Sequence, residues 1–464
     1  MENIDIQQAV EYAKELGVEF ADIRYEQRSF LSIQIVNGSI RSINNALKNG
    51  ISIRVLKDGA WGYTSTTNLS REQLKKSIEH AVTLAKISSE KLSTKKKLEL
   101  PVKSITKKVS ADMKINPADI SLEEKIKYLL ELDDIQRKYD ARIINSNVRY
   151  TESLLRVQLV NTSGSLLEWE EPRISLVFVT FAKENEKLQY AYHPITGSAG
   201  YELVNQLDPS DVGIIAARDA VNLLSAKKPP SGSLTVIADP SISGLLAHEV
   251  MGHASEGDEI VKRRSFLTDA VGKIVASELI TMVDDGTIKG AYGSIPFDSE
   301  GTPSSRTVII EKGVYKGYMH NLETATIMGV EPTGNGRAQD FNRRVWVRMT
   351  NTFFESGDWD LDEIISDTKE GILAMKAISG MEDPVGGGFE SRALMGYTIE
   401  NGEKKDLIRS FTLTGNALEI LKTVDAVSKD FKLDGGFCGK GEEDWVPVTT
   451  GGAYLRAKII VGGG

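Results

Sequence analysis

The chain has a single cysteine, no long apolar run and no excess of positive charge. One cysteine in 464 residues permits no internal disulfide, so the fold cannot depend on an oxidising compartment. No stretch approaches the roughly 20 consecutive apolar residues of a membrane-spanning helix. The N-terminal segment contains acidic side chains and no continuous apolar region, so it does not resemble a signal peptide. These absences predict a cytoplasmic protein without a membrane-spanning segment.

The charge balance also limits the classes of partner. The net charge of −9 argues against a nucleic-acid-binding surface. The basic run Lys95-Lys-Lys97 has no aromatic residues between its charges, which favours a solvated connector. Hydrophobic residues make up 41% of the chain and charged residues 26%, as in ordinary globular proteins.

Local patterns predict an α+β fold with two domains, mainly antiparallel sheets and flanking helices. The first predicted domain covers residues 1–226, with a connector at about 89–118, and the second covers 233–464. The segment between them contains Pro229-Pro230, a strong breaker of secondary structure. Alternating strands around Asn37-Gly38 and Asp58-Gly59 predict hairpins in the first domain. The predicted helices of the first domain lie at about 5–16, 70–88, 121–139 and 209–226.

The segment His248-Glu-Val-Met-Gly-His253 is the most informative motif. Two imidazoles are ligands that zinc accepts, and a glutamate beside the first histidine lies where a hydrolytic zinc site needs a base. Upstream, residues 233–238 read as a strand, Asp239 is a good N-cap, and Pro240 suits the first helical position. The motif therefore lies on a predicted helix.

The spacing of the two histidines requires a distorted helix. Five residues at about 100° each place His248 and His253 roughly 140° apart on a regular helix. A π-bulge, with hydrogen bonds from i to i+5, would bring them nearly into register. Alternatively, the helix ends at Gly252 and His253 turns on non-helical backbone.

A third ligand is not fixed by spacing. Glu256 and Asp258 are close in sequence and offer oxygen atoms, whereas Cys438 is remote in sequence and offers a thiolate. Cys438 lies in the glycine-rich segment Asp434–Gly441, which favours a tight loop over a core strand. His320 is a further candidate, since it could polarise a substrate carbonyl.

Several ordered motifs give the C-terminal half a resemblance to the TldD/PmbA metallopeptidases. These are His248–Asp258, Asp298–Pro303, Pro332–Arg337, Arg348–Thr352 and Phe437–Gly441. The match runs from about 233 to 464, whereas the N-terminal half fits in length and strand-rich character. Because the histidines, the glutamate and the cysteine are all present, the chain resembles the zinc-bearing TldD type.

The resemblance implies one Zn²⁺ per chain, bound by His248, His253 and Cys438, with Glu249 as the general base. It also implies peptides or unfolded segments as substrates, and a dimer, typically with a zinc-less PmbA/TldE-type sister subunit; a homodimer is the other possibility.

Two other functions remain open at this stage. One is a peptide-binding or regulatory subunit in which the zinc site is structural. The other is a cysteine hydrolase with Cys438 as nucleophile and a histidine as base.

Overall fold

Long antiparallel strands form the framework of both halves of the chain. The computed structural model describes residues 6–91, 102–441 and 445–463. The first sheet has seven strands: Phe20–Val36, Ser39–Lys57, Ala60–Thr66, Thr106–Val109, Ile143–Asn161, Leu166–Glu184 and Lys187–Gly197. The second sheet has ten strands: Gly232–Ala238, Met282–Asp285, Arg306–Glu311, Val314–Tyr315, Asn351–Phe354, Glu370–Asp383, Gly388–Glu400, Glu403–Asn416, Ala426–Cys438 and Val446–Gly462. The prediction of an α+β fold with mainly antiparallel sheets is confirmed.

The two hairpins predicted in the first sheet are present. Asn37 and Gly38 have φ values of 50° and 77°, and Asp58 and Gly59 have φ values of 52° and 75°. Both dipeptides thus adopt positive φ at two central positions, as tight two-residue hairpin turns require. The turns join the first three strands, which pair in sequence.

Helices cover the first sheet. Residues Ile6–Glu15 and Arg71–Lys91 form a core with Ile23, Ile51 and Ile53 near one end of the long strands. Residues Leu122–Lys138 and Pro209–Leu223 pack elsewhere on the sheet.

The remaining helical segments of the described residues are short. They are Pro117–Asp119, Glu202–Asn205, Pro240–Leu245, Leu246–Gly252, Gly257–Val261, Leu322–Met328, Leu361–Asp367 and Ala417–Lys422. None of the helices in the described ranges is both long and apolar enough to span a membrane.

Five strands of the second sheet close into a ring. Strand 232–238 pairs with strand 370–383 on one side and with strand 446–462 on the other. Strand 446–462 pairs with 403–416, which continues through 388–400 back to 370–383. A closed ring leaves its member strands few free edges, so it is a rigid support for the segments that follow strand 232–238.

The predicted connector at about 89–118 stays a prediction, and parts of this range have regular secondary structure. The helix predicted to end near 88 continues to Lys91, and Thr106–Val109 forms an edge strand parallel to Leu166–Trp169. Lys108 on this strand forms an ion pair of 2.9 Å with Glu168 of the neighbouring strand. Lysine side chains are common on exposed edge strands, so the basic residues of this segment are compatible with its place at the edge of the sheet. Residues 92–101 of the connector lie outside the described residues. The domain division at 1–226 and 233–464 stays a prediction.

A buried ion-pair cluster joins the two halves. Arg54 and Asp22 are cross-strand partners in the first sheet, and Arg54 Nε donates to Asp22 Oδ2 at 2.9 Å. The same guanidinium donates to Glu300 of the C-terminal half. All three side chains are buried, so each charge depends on the others for the interactions that water would otherwise provide.

We expect Arg54→Met to lower the free energy of unfolding by about 3–5 kcal/mol, because it leaves two buried carboxylates without their cation. Urea unfolding monitored by fluorescence measures the loss. Arg41→Met is the matched control, since Arg41 is exposed on the same strand and its replacement should change stability by no more than about 0.5 kcal/mol. Equal effects of the two substitutions would contradict a joining role for Arg54.

Candidate metal centre

The segment that carries the two histidines follows strand 232–238. The Asp239 side chain accepts hydrogen bonds from the backbone N–H groups of Ser241 and Ile242, and Pro240 occupies the first turn. The helix Pro240–Leu245 therefore begins as the sequence predicts. Asp239 Oδ2 also accepts a hydrogen bond from the Lys376 N–H at 2.9 Å, which fixes the start of this helix on strand 370–383.

A π-helix at Leu246–Gly252 brings the two histidines together. The backbone N–H of His253 donates to the carbonyl oxygen of His248, which is an i to i+5 hydrogen bond. The ring centroids of the two side chains are 5.2 Å apart. The predicted distortion of the helix is thus confirmed in its π-bulge form, and the helix does not end at Gly252.

Two glycines allow this segment to pack closely against its neighbours. A Cβ atom on Gly252 would lie 2.2 Å from Met349 Sδ, and one on Gly244 would lie 2.3 Å from the backbone nitrogen of Gly451. A larger residue at position 244 would push the helix away from strand 446–462, and one at position 252 would displace the Met349 side chain. Gly244 therefore sets how closely this helix approaches the sheet.

Cys438 is the last residue of strand 426–438 and pairs with Val446. The expectation of a loop position was wrong, since the glycine loop begins after the cysteine. Gly435 lies within this strand, and a side chain there would clash, since a Cβ atom would meet Tyr292 Cβ at 2.4 Å. This glycine marks a close approach of backbone to a neighbouring element. Cys438 is 6% exposed.

The structure brings His248, His253 and Cys438 together. Cys438 Sγ lies 3.2 Å from His253 Nε2, and one ligand atom from each of the three residues lies within 4.8 Å of the others. Donors on a tetrahedral zinc with bonds of about 2.0–2.3 Å are separated by roughly 3.3–3.8 Å. His248 Nδ1 is buried and has no hydrogen-bond partner among the described residues. The donor set and its spacing therefore fit a zinc ion.

The neighbours of Cys438 favour its thiolate form. Burial would raise the pKa of the Cys438 thiol, but His253 and His248 outweigh burial and hold it well below its usual value. Burial would likewise lower the pKa of His253, but Cys438 and Glu256 raise it well above its usual value. A thiolate is the form of cysteine that binds metals.

Glu256 and Asp258, the other candidates for the third ligand, interact instead with a lysine. Lys440 Nζ lies 2.7 Å from Glu256 Oε2 and 2.7 Å from Asp258 Oδ1. Glu256 Oε2 also lies 3.4 Å from Nδ1 of His253. Burial would raise the pKa of Glu256, but Lys440 and His253 bring it to about 2. Glu256 is thus ionised, and it lies beside Nδ1 of His253, the ring nitrogen that faces away from Cys438.

Glu249 has a carboxylate neighbour that the sequence did not reveal. Its Oε2 lies 4.0 Å from His253 Nε2, so the carboxylate borders the three donors. Glu382, near the tip of hairpin 370–400, belongs with Glu249 and His253 to a second group of potential ligand atoms. Partial burial, offset in part by His253, and the hydrogen bond with Glu249 raise the pKa of Glu382 to about 7. No local motif could have identified Glu382, because only the hairpin register brings it here.

A cleft of about 1,130 Å³ opens beside the donors. The N-terminal half contributes Tyr192, His193 and Pro194. The C-terminal half contributes segments 375–380 and 434–437 together with His248 and Glu249. The cleft is therefore a space between the two halves of the chain that is bordered by His248 and Glu249 of the candidate metal centre.

The remaining histidines lie away from the three donors. His80 is exposed on helix 71–91, and His193 lines the cleft. His320 is buried, with Nδ1 at 3.1 Å from Thr324 Oγ1, and burial lowers its pKa to about 4. These surroundings favour a structural role for His320 over the suggested contact with a substrate carbonyl.

Comparisons with known proteins match nearly the whole chain. Residues 231–463 match the PmbA/TldA metallopeptidase C-terminal domain, residues 21–85 match domain 1 and residues 115–224 match the central domain of the same family. A metalloprotease of Methanocaldococcus jannaschii is 38% identical over 452 residues, covering 97% of this chain and 98% of the relative. A zinc metalloprotease TldD homolog of Saccharolobus solfataricus is 27% identical over 456 residues, covering 98% and 99%. The crystal structure of TldE from Thermococcus kodakarensis has the same fold, with a TM-score of 0.78 at 20% identity over 98% and 99% of the two chains.

We expect the metal-free protein to hold Cys438 as a thiolate well below the usual pKa of a thiol, because His253 and His248 stabilise its charge. The ultraviolet absorbance of the thiolate, followed against pH, measures this pKa directly, since Cys438 is the single cysteine. His253→Gln should raise the pKa, and Cys438→Ser supplies the blank. A thiol that titrates at the usual value in the unaltered protein would contradict the ion pair.

Proposed function

The chain belongs to the PmbA/TldD metallopeptidase family, and we propose that it is a zinc-dependent peptidase of the TldD type. His248, His253 and Cys438 would hold one Zn²⁺ per chain, and Glu249 would act as the general base. The observation that carries this proposal is that two imidazoles and a thiol, three groups that bind zinc, converge beside Glu249, whose carboxylate comes from the same helical segment as the two histidines. The zinc metalloprotease name of the Saccharolobus solfataricus relative agrees with the choice of metal.

The protein's own residues divide the work of amide hydrolysis. Zinc, when bound, would polarise the scissile carbonyl and lower the pKa of water toward about 7. Glu249 takes a proton from the attacking water and delivers it to the leaving amine. The Cys438 thiolate reduces the net charge of the centre by one relative to a neutral ligand. Three protein donors would leave a fourth position for water on a bound zinc ion.

The cleft supports peptides or unfolded segments as substrates. Its walls come from both halves of the chain, and Glu249 is one of its lining residues. A flexible segment could enter the cleft and lie beside Glu249 more readily than a folded protein could. We also propose a dimer, with a zinc-less PmbA/TldE-type sister subunit or with a second copy of this chain. The shared fold with TldE supports a related subunit as a partner.

Glu249→Gln should retain near one zinc per chain and lower kcat by about 10²- to 10⁴-fold, because it removes the proton acceptor and no metal donor. Elemental analysis gives the zinc content, and cleavage of an unstructured peptide gives the rate. Activity should be measured for the chain alone and with the sister subunit added.

Cys438→Ser is the companion variant and separates the competing functions. Weakened zinc binding together with chelator-sensitive cleavage by the unaltered protein would support the peptidase. Metal-free protein that still cleaves peptides would replace it with a cysteine hydrolase. Bound zinc without cleavage, both for the chain alone and with the sister subunit added, would indicate a peptide-binding or regulatory subunit.

Gly380→Ala should lower kcat by about 10- to 100-fold through displacement of the general base. A Cβ at this position would lie 2.7 Å from Glu249 Cγ, which is too close for the carboxylate to keep its place. Zinc content should not change. Gly388→Ala on the same hairpin is the control, since its Cβ would meet Asp383 Cβ at an ordinary 3.4 Å. Unchanged cleavage by Gly380→Ala would show that catalysis does not depend on this placement of Glu249.

A further inference from the structure

A buried ionic junction lies behind the three candidate ligands. His253 and Cys438 are 185 positions apart in the chain, yet their side chains meet. Four charged residues, Glu256, Asp258, Arg348 and Lys440, form this junction, and Glu256 contacts the ring nitrogen of His253 that faces away from the thiolate. Glu256 and Arg348 are 1% and 0% exposed. Charges at this depth are retained only where they are paired.

Glu256 determines which nitrogen of His253 can carry a proton. Nε2 of the ring faces Cys438 Sγ at 3.2 Å, whereas Nδ1 faces Glu256 Oε2 at 3.4 Å. A carboxylate can only accept a hydrogen bond, so Nδ1 must carry the proton when the ring is neutral. The lone pair then lies on Nε2, the atom that borders the other donors.

Two cations connect the same carboxylate with the strand that carries Cys438. Lys440, two residues beyond the cysteine, donates to Glu256 at 2.7 Å. Arg348 Nη2 donates to the carbonyl oxygen of Cys438 at 2.6 Å, and its Nε lies 3.8 Å from Glu256 Oε1. Both connections end on Glu256. Glu256 therefore contacts both His253 and the two cations that adjoin Cys438.

We propose that Glu256 is a positioning residue of the metal centre. It holds His253 with Nε2 toward the metal, and through Lys440 and Arg348 it fixes the distance between that imidazole and the Cys438 thiolate. Carboxylates that orient histidine ligands in this way contribute to metal affinity and to the geometry of the centre. This inference rests on the proposed ligand set and goes beyond it, since Glu256 binds no metal itself.

Asp258 provides a matched control. It accepts from the same Lys440 Nζ at the same 2.7 Å as Glu256, but its carboxylate makes no contact with His253 in the described structure. We expect Glu256→Gln to raise the zinc dissociation constant by about 10- to 100-fold, and Asp258→Asn to leave it near that of the unaltered protein. A competing chelator measures both values without any assay of cleavage.

Substitution of Co²⁺ for zinc reports on the arrangement of the ligands independently of the zinc affinity. The thiolate-to-cobalt charge-transfer absorption of the unaltered protein should weaken or shift in Glu256→Gln and persist in Asp258→Asn. Urea unfolding of the metal-free variants shows whether either substitution merely destabilises the fold. If Glu256→Gln does not fold, Glu256→Asp decides, because it keeps the charge and withdraws the carboxylate from His253 by one methylene.

The outcomes distinguish this inference from the proposed function. Unaltered zinc affinity and an unaltered cobalt spectrum in a folded Glu256 variant would overturn the positioning role and leave the peptidase standing. Equal losses in the Glu256 and Asp258 variants would overturn it too, since the effect would then come from Lys440. Failure of the unaltered protein to bind zinc or cobalt would overturn both proposals. Zinc bound with the expected Glu256 effect but without cleavage would support the positioning role and remove the peptidase.

Discussion

The five-residue spacing of His248 and His253 is the constraint on which the candidate site depends. In a regular helix the two side chains would point roughly 140° apart, so one ion could not reach both. The π-helix removes this separation. Two glycines flank the site of close packing: Gly244 lies against the backbone of strand 446–462, and Gly252 lies against the side chain of Met349. The segment that carries the histidines is thus closely packed on two sides.

Charge compensation is the second requirement of the site. A thiolate, a carboxylate and two cations lie in a region largely closed to solvent, where an unpaired charge would cost several kcal/mol. Each charge has an opposite neighbour: Cys438 faces His253, and Glu256 faces Lys440. The arrangement favours the thiolate form of Cys438, which is the form that binds a metal, whereas His253 would have to release its extra proton when zinc binds. The same pairing connects two remote parts of the chain.

What could be predicted from the sequence was local. The Asp239-Pro240 helix start, the Asn37-Gly38 turn and the need for a helix distortion all depend on neighbours within a few residues, and all three are present. Glu382 could not be found, because its proximity to Glu249 depends on the register of a hairpin far along the chain. Glycine was misread near Cys438 for a related reason: a turn and a close approach between strands both select glycine, and only the packing distinguishes them.

The contact between Cys438 and His253 could belong to a nucleophile and its base or to two ligands of one metal, and the surroundings favour the ligands. A nucleophilic thiolate needs one base and access to substrate, whereas Cys438 is 6% exposed and its carbonyl group is held by Arg348. A second imidazole, His248, converges on the same sulfur, and a carboxylate, Glu249, borders the group. Neither is needed to activate a thiol. Two imidazoles, a thiolate and an adjacent carboxylate are together what hydrolysis by a metal-activated water requires.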